Sequence, residues 1–251
     1  VEFASAGADD GRDHALPPGR VLGVIPARLG SSRLPRKPLH PLLGRPLVTW
    51  VWQRAVQTGA LDRVVVATDA PEVARACERE GAEVVMTRSD HPSGTDRVAE
   101  VAALPGFQGF EVVVNLQGDE PLLEAEHVRA AVREVEQGRD VGTCATPVGS
   151  RGAWLDPSAV KVVRRSDGTA LYFSRAPIPH TRDRAPSEAE LGGAPFLRHL
   201  GLYAYRRDAL MRWVALPPSP LEVRERPEQL RALEAGMVIG VAVVDGAEPG
   251  L

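Results

Sequence analysis

The stretch "VLGVIPARLGSSRLPRKP", residues 21–38, decides the fold because it joins an apolar run to a basic loop. The run is rich in β-branched residues and ends just after Pro26, which is typical of a buried parallel strand that enters a loop. The loop carries four cations, Arg28, Arg33, Arg36 and Lys37. Ligands of doubly wound sheets collect at the carboxyl ends of the strands, so these cations stand where a ligand would bind.

Four strands alternate with four helices along the first part of the chain. Apolar runs predict strands over 21–27, 63–69, 83–87 and within 111–122, and helical spacing predicts helices over 46–59, 70–81, 94–104 and 124–138. Gly59, Gly81 and Gly138 are suited to end three of these helices. Strand–helix units in series imply right-handed crossovers, so the sequence predicts an α/β fold with a doubly wound, mostly parallel sheet.

The second part of the chain is less regular. The sequence predicts a strand over 141–148, two strands joined by a Ser-Asp-Gly turn within 159–175, a strand and then a helix within 197–216, a loop and then a helix starting near Pro227, and a last strand over 238–244. Residues 180–195 are polar and rich in glycine and proline, which indicates a mobile loop.

Composition excludes several classes of protein. The chain has 251 residues, 43% hydrophobic and 25% charged, and a net charge of −3, so no overall basic field points to nucleic acid. Its apolar runs are too short to span a membrane. Cys77 and Cys144 have neither metal-site nor disulfide-scaffold spacing, which favours reduced thiols and a cytoplasmic location. We interpret residues 1–20 as a flexible extension or cloning remnant and residues 21–251 as a single domain.

The basic loop has the composition of an anion site. Gly30, Ser31 and Ser32 let backbone N–H groups approach an anion closely, and the arginines and lysine can contact phosphate oxygens. Neither a Walker A pattern nor the dinucleotide-binding glycine pattern is present. On charge alone a solvated basic loop is favoured, but the glycine-serine element at a strand end favours polyphosphate binding.

A second loop, "NLQGDEP" at residues 115–121, is acidic and follows another strand. Asp119 is placed to hold a divalent cation beside phosphates, because Mg²⁺ commonly takes one or two carboxylates and completes its shell with phosphate and water. The alternative makes Asp119 and Glu120 turn or N-cap residues before the next helix. Glu120 suits that alternative well, and Asp119 suits it less.

Six segments together carry a family resemblance: "IPARLGSSRLPRKPL", "TRSDHPSGTDR", "NLQGDEPL", "ALYFSRAPIP", "RHLGLYAYR" and "PPSPLEVRERPEQLR". In this order, over residues 21–244, they resemble the 3-deoxy-manno-octulosonate cytidylyltransferases, or CMP-KDO synthetases. Acylneuraminate cytidylyltransferases typically have a Gly-Ser-Lys element and a Lys-Asn ending in the first loop. Ser32-Arg33 and Lys37-Pro38 depart from that pattern. The resemblance implies a sheet of the nucleotide-diphospho-sugar transferase type, with a smaller mixed β/α lobe for sugar binding and dimerisation.

The implied activity is the transfer of CMP from CTP to the anomeric hydroxyl of 3-deoxy-D-manno-octulosonate (KDO), with release of pyrophosphate, for lipopolysaccharide biosynthesis. The resemblance implies Mg²⁺ as cofactor, a homodimer, and neither nucleic acid nor membrane as partner. The apolar segment 209–221 supplies either part of a dimer interface or part of the chain's own core. Alternatives are a cytidylyltransferase acting on another 3-deoxy-2-keto sugar acid, or a catalytically weakened binding homologue.

The resemblance also assigns residues on the nucleotide side. It places Arg28, Arg33, Lys37 and Asp119 in catalysis, with Asp119 as the Mg²⁺ ligand, and it places Ala27, Arg28, Lys37, Ser93, Gly94 and Gln117 at the nucleotide. Arg36 stands where the family often has glycine, so we leave it out of the site. Ser93 and Gly94 have a plainer alternative, a simple turn.

On the sugar side, the resemblance places Arg175 opposite the carboxylate of the sugar acid, in a two-pronged pair. It places His199, Glu228 and Gln229 at the sugar as well. Taken alone, His199 reads as a satisfied core histidine, and Glu228 and Gln229 read as the first polar turn of a helix. His91 and Tyr203 are neighbours for which structural roles are at least as well supported.

The sequence departs from the family pattern at its end. In the family, the last strand precedes a Gly-Val-Asp-Thr-Pro-Glu-Asp-Leu-Glu motif whose first aspartate is a second metal ligand, whereas this sequence stops at Leu251 before that motif. Asp245 has a different local context and does not replace that ligand. A chain that ended there would keep a single metal carboxylate, and we would expect weaker Mg²⁺ binding and lower turnover.

Overall fold

The computed structural model describes residues 20–30, 36–118, 120–122 and 124–245, and these contain eleven strands and nine α-helices. The first half holds β1 (Val21–Ala27), β2 (Pro41–Leu42), β3 (Arg45–Pro46), α1 (Leu47–Gln57), β4 (Arg63–Thr68), α2 (Pro71–Arg79), β5 (Glu83–Met86), α3 (Gly94–Ala103), β6 (Val112–Asn115) and α4 (Ala125–Glu136). The second half holds β7 (Val141–Pro147), α5 (Arg151–Leu155), β8 (Lys161–Arg164), β9 (Ala170–Ser174), α6 (Glu188–Leu191), β10 (Leu197–Arg206), α7 (Arg207–Ala215), α8 (Pro220–Glu225), α9 (Gln229–Glu234) and β11 (Ile239–Val243).

A nine-stranded sheet runs through the described chain, and β2 and β3 form a separate two-stranded sheet. The order of the nine-stranded sheet is β11-β7-β10-β6-β1-β4-β5, and β8 joins β10 while β9 pairs with β8. The pairs β1–β4, β1–β6, β4–β5 and β7–β11 are parallel, and β10 runs antiparallel between β6 and β7. The predicted mostly parallel α/β sheet is therefore confirmed. Because β1, β4 and β6 run in the same direction, their carboxyl ends meet at one edge.

Apolar side chains cover both faces of the sheet. One core cluster lies under α3 and α7 and includes Val98 and Trp213, while the other lies under α1, α2 and α4 and includes Val51 and Val128. All four residues of β6 are buried, as expected for a strand with helices on both sides. Residues that extend past the carboxyl end of such a strand are therefore held on a rigid support.

Glycines end three helices as the sequence predicts. Gly59, Gly81 and Gly138 follow α1, α2 and α4 with φ of 59°, 84° and 89°. This left-handed backbone costs a glycine nothing, because glycine has no Cβ to clash with the preceding turn.

The structure contains three short helices that the sequence did not predict: α5, α6 and α8. The helix α6 lies inside the segment predicted to be a mobile loop, and its Leu191 is fully buried against Trp154 and Phe196. Both α6 and α8 begin with a capping box, Ser187 with Glu190 and Ser219 with Glu222. Ser-x-x-Glu was the available signal, because helices this short show no hydrophobic periodicity.

Three residues of the apolar segment 209–221 pack in the chain's own core, and a part for this segment in a dimer interface stays a prediction. Ala209, Leu210 and Trp213 are buried in the cluster under α7, while Leu221 is partly exposed. Both thiols, Cys77 and Cys144, are free and buried, and burial raises the pKa of each to about 12. None of the described helices combines the length and apolar character needed to cross a membrane.

Candidate active site

Three segments converge on Pro26 at the carboxyl end of β1. A Cβ added to Gly118, after β6, would lie 3.0 Å from the carbonyl oxygen of Pro26, and a Cβ added to Gly94, at the start of α3, would lie 3.4 Å from its ring Cγ. At Gly118 the backbone can approach this closely only because a side chain is lacking, whereas the 3.4 Å contact at Gly94 is an ordinary van der Waals distance. The small residues of "SGTDR" and "LQGDE" therefore bring their two loops against the first strand.

A cavity of about 290 Å³ opens beside this junction. Six of the predicted site residues line it: Gly94, Gln117, Arg175, His199, Glu228 and Gln229. They come from the start of α3, the loop after β6, the end of β9, the strand β10 and the start of α9. The fold thus gathers residues that are far apart in the sequence into one polar cavity at the carboxyl end of the parallel strands, as predicted.

Of the basic loop and the strand before it, the structure describes three predicted site residues. Ala27 is buried as the last residue of β1, Arg28 is exposed, and Lys37 begins a 3₁₀ turn, Lys37–Leu39. Two predicted residues, Arg33 and Asp119, lie outside the described residues, as do Ser31 and Ser32. Their assignments stay predictions.

Arg36 forms an ion pair and does not line the cavity. Its guanidinium forms a two-pronged pair with Glu72 of α2, at 2.8 and 2.6 Å, and its backbone has a left-handed φ of 58°. The backbone angle gives a physical reason for the glycine that the family often has here, because left-handed conformations cost a residue with a Cβ more than they cost glycine.

Ser93 caps the helix α3. Its hydroxyl accepts a hydrogen bond from the N–H of Asp96 at 3.2 Å and donates to the Asp96 carboxylate at 2.6 Å. The hydroxyl is therefore occupied at the helix N-terminus, a local role beyond the simple turn considered from sequence. Gly94 faces the cavity and offers backbone there.

The loop before α3, residues 87–93, is attached to α3 by Glu100. This carboxylate accepts hydrogen bonds from His91 and from the N–H of Arg88, the latter at 3.1 Å. Burial raises the pKa of Glu100, but these donors outweigh it, so the pKa is lowered. Arg97 adds a second attachment, because its buried guanidinium pairs with Asp69 at 3.2 Å and contacts Thr87. His91 thus has a structural role.

Arg175 lines the cavity, and hydrogen bonds to backbone carbonyls hold its side chain in place. Its Nη1 donates to the carbonyls of Pro157 at 2.8 Å and Ser158 at 3.3 Å, and its Nε donates to the carbonyl of Glu225 at 3.2 Å. Within the described part of the chain, Nη2 alone of its nitrogens has no hydrogen-bond partner. The guanidinium therefore presents one nitrogen, where the sequence predicted a two-pronged edge.

His199 packs against two aromatic rings and also forms a side-chain hydrogen bond. Its ring lies 5.3 Å from that of Phe173 and 5.2 Å from that of Tyr203, and burial, assisted by Arg198, lowers its pKa to about 3. Thr143 donates its hydroxyl proton to the carbonyl of Leu202 at 2.6 Å, so it can only accept from His199 Nε2 at 2.9 Å. The neutral ring is therefore protonated on Nε2, and Nδ1 is an acceptor.

Glu228 and Gln229 begin the helix α9, as the plainer interpretation held, and they also line the cavity. The Glu228 carboxylate accepts a hydrogen bond from the Thr95 hydroxyl at 3.0 Å, and burial raises the pKa of Glu228. Gln229 is buried beside the Tyr203 hydroxyl. Both residues can offer oxygen or nitrogen atoms to a polyhydroxylated ligand.

Seven cavity residues were not predicted from the sequence: Thr95, Asn115, Val160, Gly201, Tyr205, Trp213 and Pro227. Asn115 ends β6, and Thr95 follows the predicted Gly94, so their positions in the motifs were the available signal. Tyr205 shares a face of β10 with Tyr203 because side chains alternate along a strand. Trp213 reaches the cavity only through the packing of α7 against the sheet, for which the sequence carries no signal.

The described residues contain no group of three or more His, Cys, Asp or Glu side chains that could hold a metal ion. Mg²⁺ beside a polyphosphate does not need such a group, because phosphate and water supply most of its ligands. The predicted ligand, Asp119, lies between Gly118, at the β1 junction, and Glu120, which packs beside Gly201 of β10. Asp119 itself lies outside the described residues, so its assignment as an Mg²⁺ ligand stays a prediction.

A mostly parallel sheet with a polar cavity at its carboxyl edge is the arrangement in which doubly wound folds bind their ligands. Residues 22–239 match the cytidylyltransferase family, and the chain belongs to that family. It is 56% identical to the 3-deoxy-manno-octulosonate cytidylyltransferase of Gemmatimonas aurantiaca over 233 residues, covering 92% of this chain and 89% of the relative.

A second relative is the 3-deoxy-manno-octulosonate cytidylyltransferase of Azorhizobium caulinodans, 50% identical over 237 residues, which cover 92% of this chain and 90% of the relative. Among solved structures, a CMP:2-keto-3-deoxy-manno-octonic acid synthetase complexed with CTP matches with a TM-score of 0.83 and 41% identity, over 92% of both chains. The family and fold predicted from the sequence motifs are therefore confirmed.

Proposed function

We propose that this chain transfers CMP from CTP to the anomeric hydroxyl of KDO and releases pyrophosphate. The observation that carries the proposal is the single cavity where Gln117, Arg175, His199 and Glu228 meet beside the two loops of a nucleotidyltransferase. Relatives that are 50% and 56% identical over most of the chain bear the name of this activity.

On the nucleotide side, Arg28, Arg33 and Lys37 neutralise the triphosphate. The attack of a hydroxyl on the α-phosphorus concentrates negative charge on the pentavalent transition state and on the departing pyrophosphate, and fixed cations stabilise both. Ala27 and Gly94 offer backbone to the nucleotide, with Ser93 holding the start of α3, and Gln117 stands between nucleotide and sugar. Mg²⁺, held by Asp119 and the phosphates, supplies further charge neutralisation when bound.

On the sugar side, Nη2 of Arg175 is the free donor for the carboxylate of the sugar acid. Nδ1 of the neutral His199 accepts a hydrogen bond from a sugar hydroxyl, and Glu228 and Gln229 contact further hydroxyls. Neutrality of His199 matters because a cation there would compete with Arg175 for the carboxylate. These contacts fix the anomeric oxygen in line with the α-phosphorus, which is the main contribution a protein can make to phosphoryl transfer.

We also propose that the product serves lipopolysaccharide biosynthesis, that the protein acts in the cytoplasm, and that two copies form a homodimer. The two free buried thiols and the use of CTP support the location. The family resemblance supports the pathway and the dimer, and light scattering on the purified chain measures the dimer directly.

The proposed function is tested by pyrophosphate release with CTP, UTP, ATP and GTP in the presence of KDO and Mg²⁺. We expect turnover with CTP, and a rise of about tenfold or more in the KM for KDO in the Arg175→Lys variant, because lysine cannot reproduce the fixed guanidinium. Arg164→Lys is the matched control, since Arg164 donates to the Val241 carbonyl and does not line the cavity. Absence of pyrophosphate release with every nucleotide contradicts the proposal.

A further inference from the structure

The peptide groups of Arg175 are held by two ionised side chains that do not line the cavity. Its N–H donates to Oε2 of Glu225 at 2.9 Å, and its carbonyl accepts from Nζ of Lys161 at 2.7 Å. The backbone of Arg175 is therefore hydrogen-bonded to a carboxylate through its N–H and to an ammonium group through its carbonyl. Charge-assisted hydrogen bonds of this kind are stronger and more directional than neutral ones.

Lys161 is fully buried, which is rare for a lysine. Its three ammonium protons are matched by three carbonyls, those of Asp156 at 2.8 Å, Ala159 at 2.6 Å and Arg175 at 2.7 Å. The turn 156–159 is therefore tied to Arg175 through Lys161. The same turn supplies the Pro157 and Ser158 carbonyls that hold the guanidinium, so the side chain and the backbone of Arg175 share one support.

Glu225, the last residue of α8, completes this support. Its carboxylate accepts hydrogen bonds from the Ser174 hydroxyl at 2.7 Å and the Tyr172 hydroxyl at 3.2 Å, besides the N–H of Arg175. Its own carbonyl accepts from Nε of Arg175 at 3.2 Å. Glu225 therefore contacts Arg175 at the backbone and at the guanidinium, and it fixes the end of β9 on which Arg175 stands.

We propose that Glu225 and Lys161 are positioning residues for Arg175, which set the affinity for the sugar-acid carboxylate without touching the substrate. The proposal rests on the proposed role of Arg175. With Nε and Nη1 bound to backbone carbonyls, the direction of Nη2 depends on where the peptide of Arg175 and the turn 156–159 are held. Loss of either ionised group lets that nitrogen move away from the carboxylate.

Glu222 offers a matched control on the same helix. Glu222 is a buried carboxylate that pairs with Arg231 at 2.7 Å and takes part in the capping box with Ser219, and it is not among the hydrogen-bond partners of Arg175. Glu222→Ala removes an ion pair and a helix cap, so a purely structural effect would be at least as large there as at Glu225.

The test is steady-state kinetics of pyrophosphate release with KDO and CTP varied separately. We expect Glu225→Ala and Lys161→Met to raise the KM for KDO about tenfold, the effect of losing one charge-assisted hydrogen bond, and to leave the KM for CTP within about twofold. Glu222→Ala should lower the melting temperature without changing the KM for KDO. If Glu225→Ala proves unfolded, Glu225→Gln, which keeps one acceptor oxygen, is expected to give a smaller rise of the same selectivity.

A double-mutant cycle separates this inference from the function on which it rests. In an Arg175→Lys background, Glu225→Ala should add little to the KM for KDO, because the residue it positions is already gone. A fully additive rise, an equal rise in Glu222→Ala, or equal rises in both KM values overturns the inference. No effect of Arg175→Lys itself overturns the role of Arg175 instead.

Discussion

Gly118 offers a direct test of the junction at Pro26. An alanine there would place its Cβ 3.0 Å from the carbonyl oxygen of Pro26, and no other heavy atom would lie closer. The Cα–H···O contacts that recur between neighbouring backbones have carbon–oxygen distances of about 3.3–3.6 Å. The loop after β6 must therefore retreat by about 0.3–0.6 Å, and it carries Gln117 with it.

The retreat has a predictable cost in catalysis. A misplacement of about 1 Å of reacting groups can cost about 100-fold in rate, so a shift of about half that size should lower kcat about tenfold. Overpacking costs stability too, typically about 1–3 kcal/mol. Gly118→Ala should therefore remain folded and lose turnover. The position of Gln117 in the site depends on the close approach of Gly118 to Pro26 more than the packing of the hydrophobic core does.

The assay is pyrophosphate release at saturating CTP and KDO, with urea unfolding measured in parallel. Gly94→Ala, whose Cβ would make an ordinary 3.4 Å contact with the Pro26 ring, should lose less activity. Gly106→Ala, with no heavy atom within 4 Å of its Cβ, should lose none. Wild-type kcat in Gly118→Ala, or an equal loss in Gly106→Ala, would refute the reasoning.

Two further predictions concern His199 and Arg36. Because the folded state holds the pKa of His199 at about 3, the unfolded chain takes up the proton first as pH falls below about 6.5, and stability is lost toward acid pH. Between pH 7 and 5.5, wild-type should lose about 1 kcal/mol more unfolding free energy than His199→Asn, and parallel urea curves for the two would contradict this. Arg36→Gly should keep or raise the melting temperature and leave the KM for CTP unchanged, because it relieves a φ of 58° at the cost of an exposed ion pair. A drop of several degrees would show that the pair with Glu72 outweighs the strain.

The sequence predicts the parallel half of the fold well, because its signals are local. Runs such as 63–69 are buried on both faces, and glycines such as Gly81 mark where helices must stop. The position of β10 between β6 and β7 could not be predicted from these patterns, since strand order depends on long-range pairing. The helices α6 and α8 were missed because four and six residues are too few to show a period.

The candidate site also has a part that the sequence predicts and a part that it does not. Motif resemblance identified Arg175 and His199, and the cavity contains both. What orients them lies far away in sequence: Thr143 is 56 residues from His199, and Glu225 is 50 residues from Arg175. The carbonyl contacts that occupy Nε and Nη1 of Arg175 are backbone features without a sequence signal. The sequence therefore shows which chemical groups the site contains, whereas tertiary contacts determine how each side chain is oriented.

The strand β10 is both an interior strand of the sheet, between β6 and β7, and a wall of the cavity, to which it contributes His199, Tyr203 and Tyr205. A replacement that reshapes this wall also disturbs the packing that keeps the protein folded. Selection for a different sugar acid would therefore meet less resistance at Glu228 and Gln229, which sit at the start of the short helix α9, outside the sheet. Natural variation in substrate preference within this architecture should accumulate there, with β10 changing last.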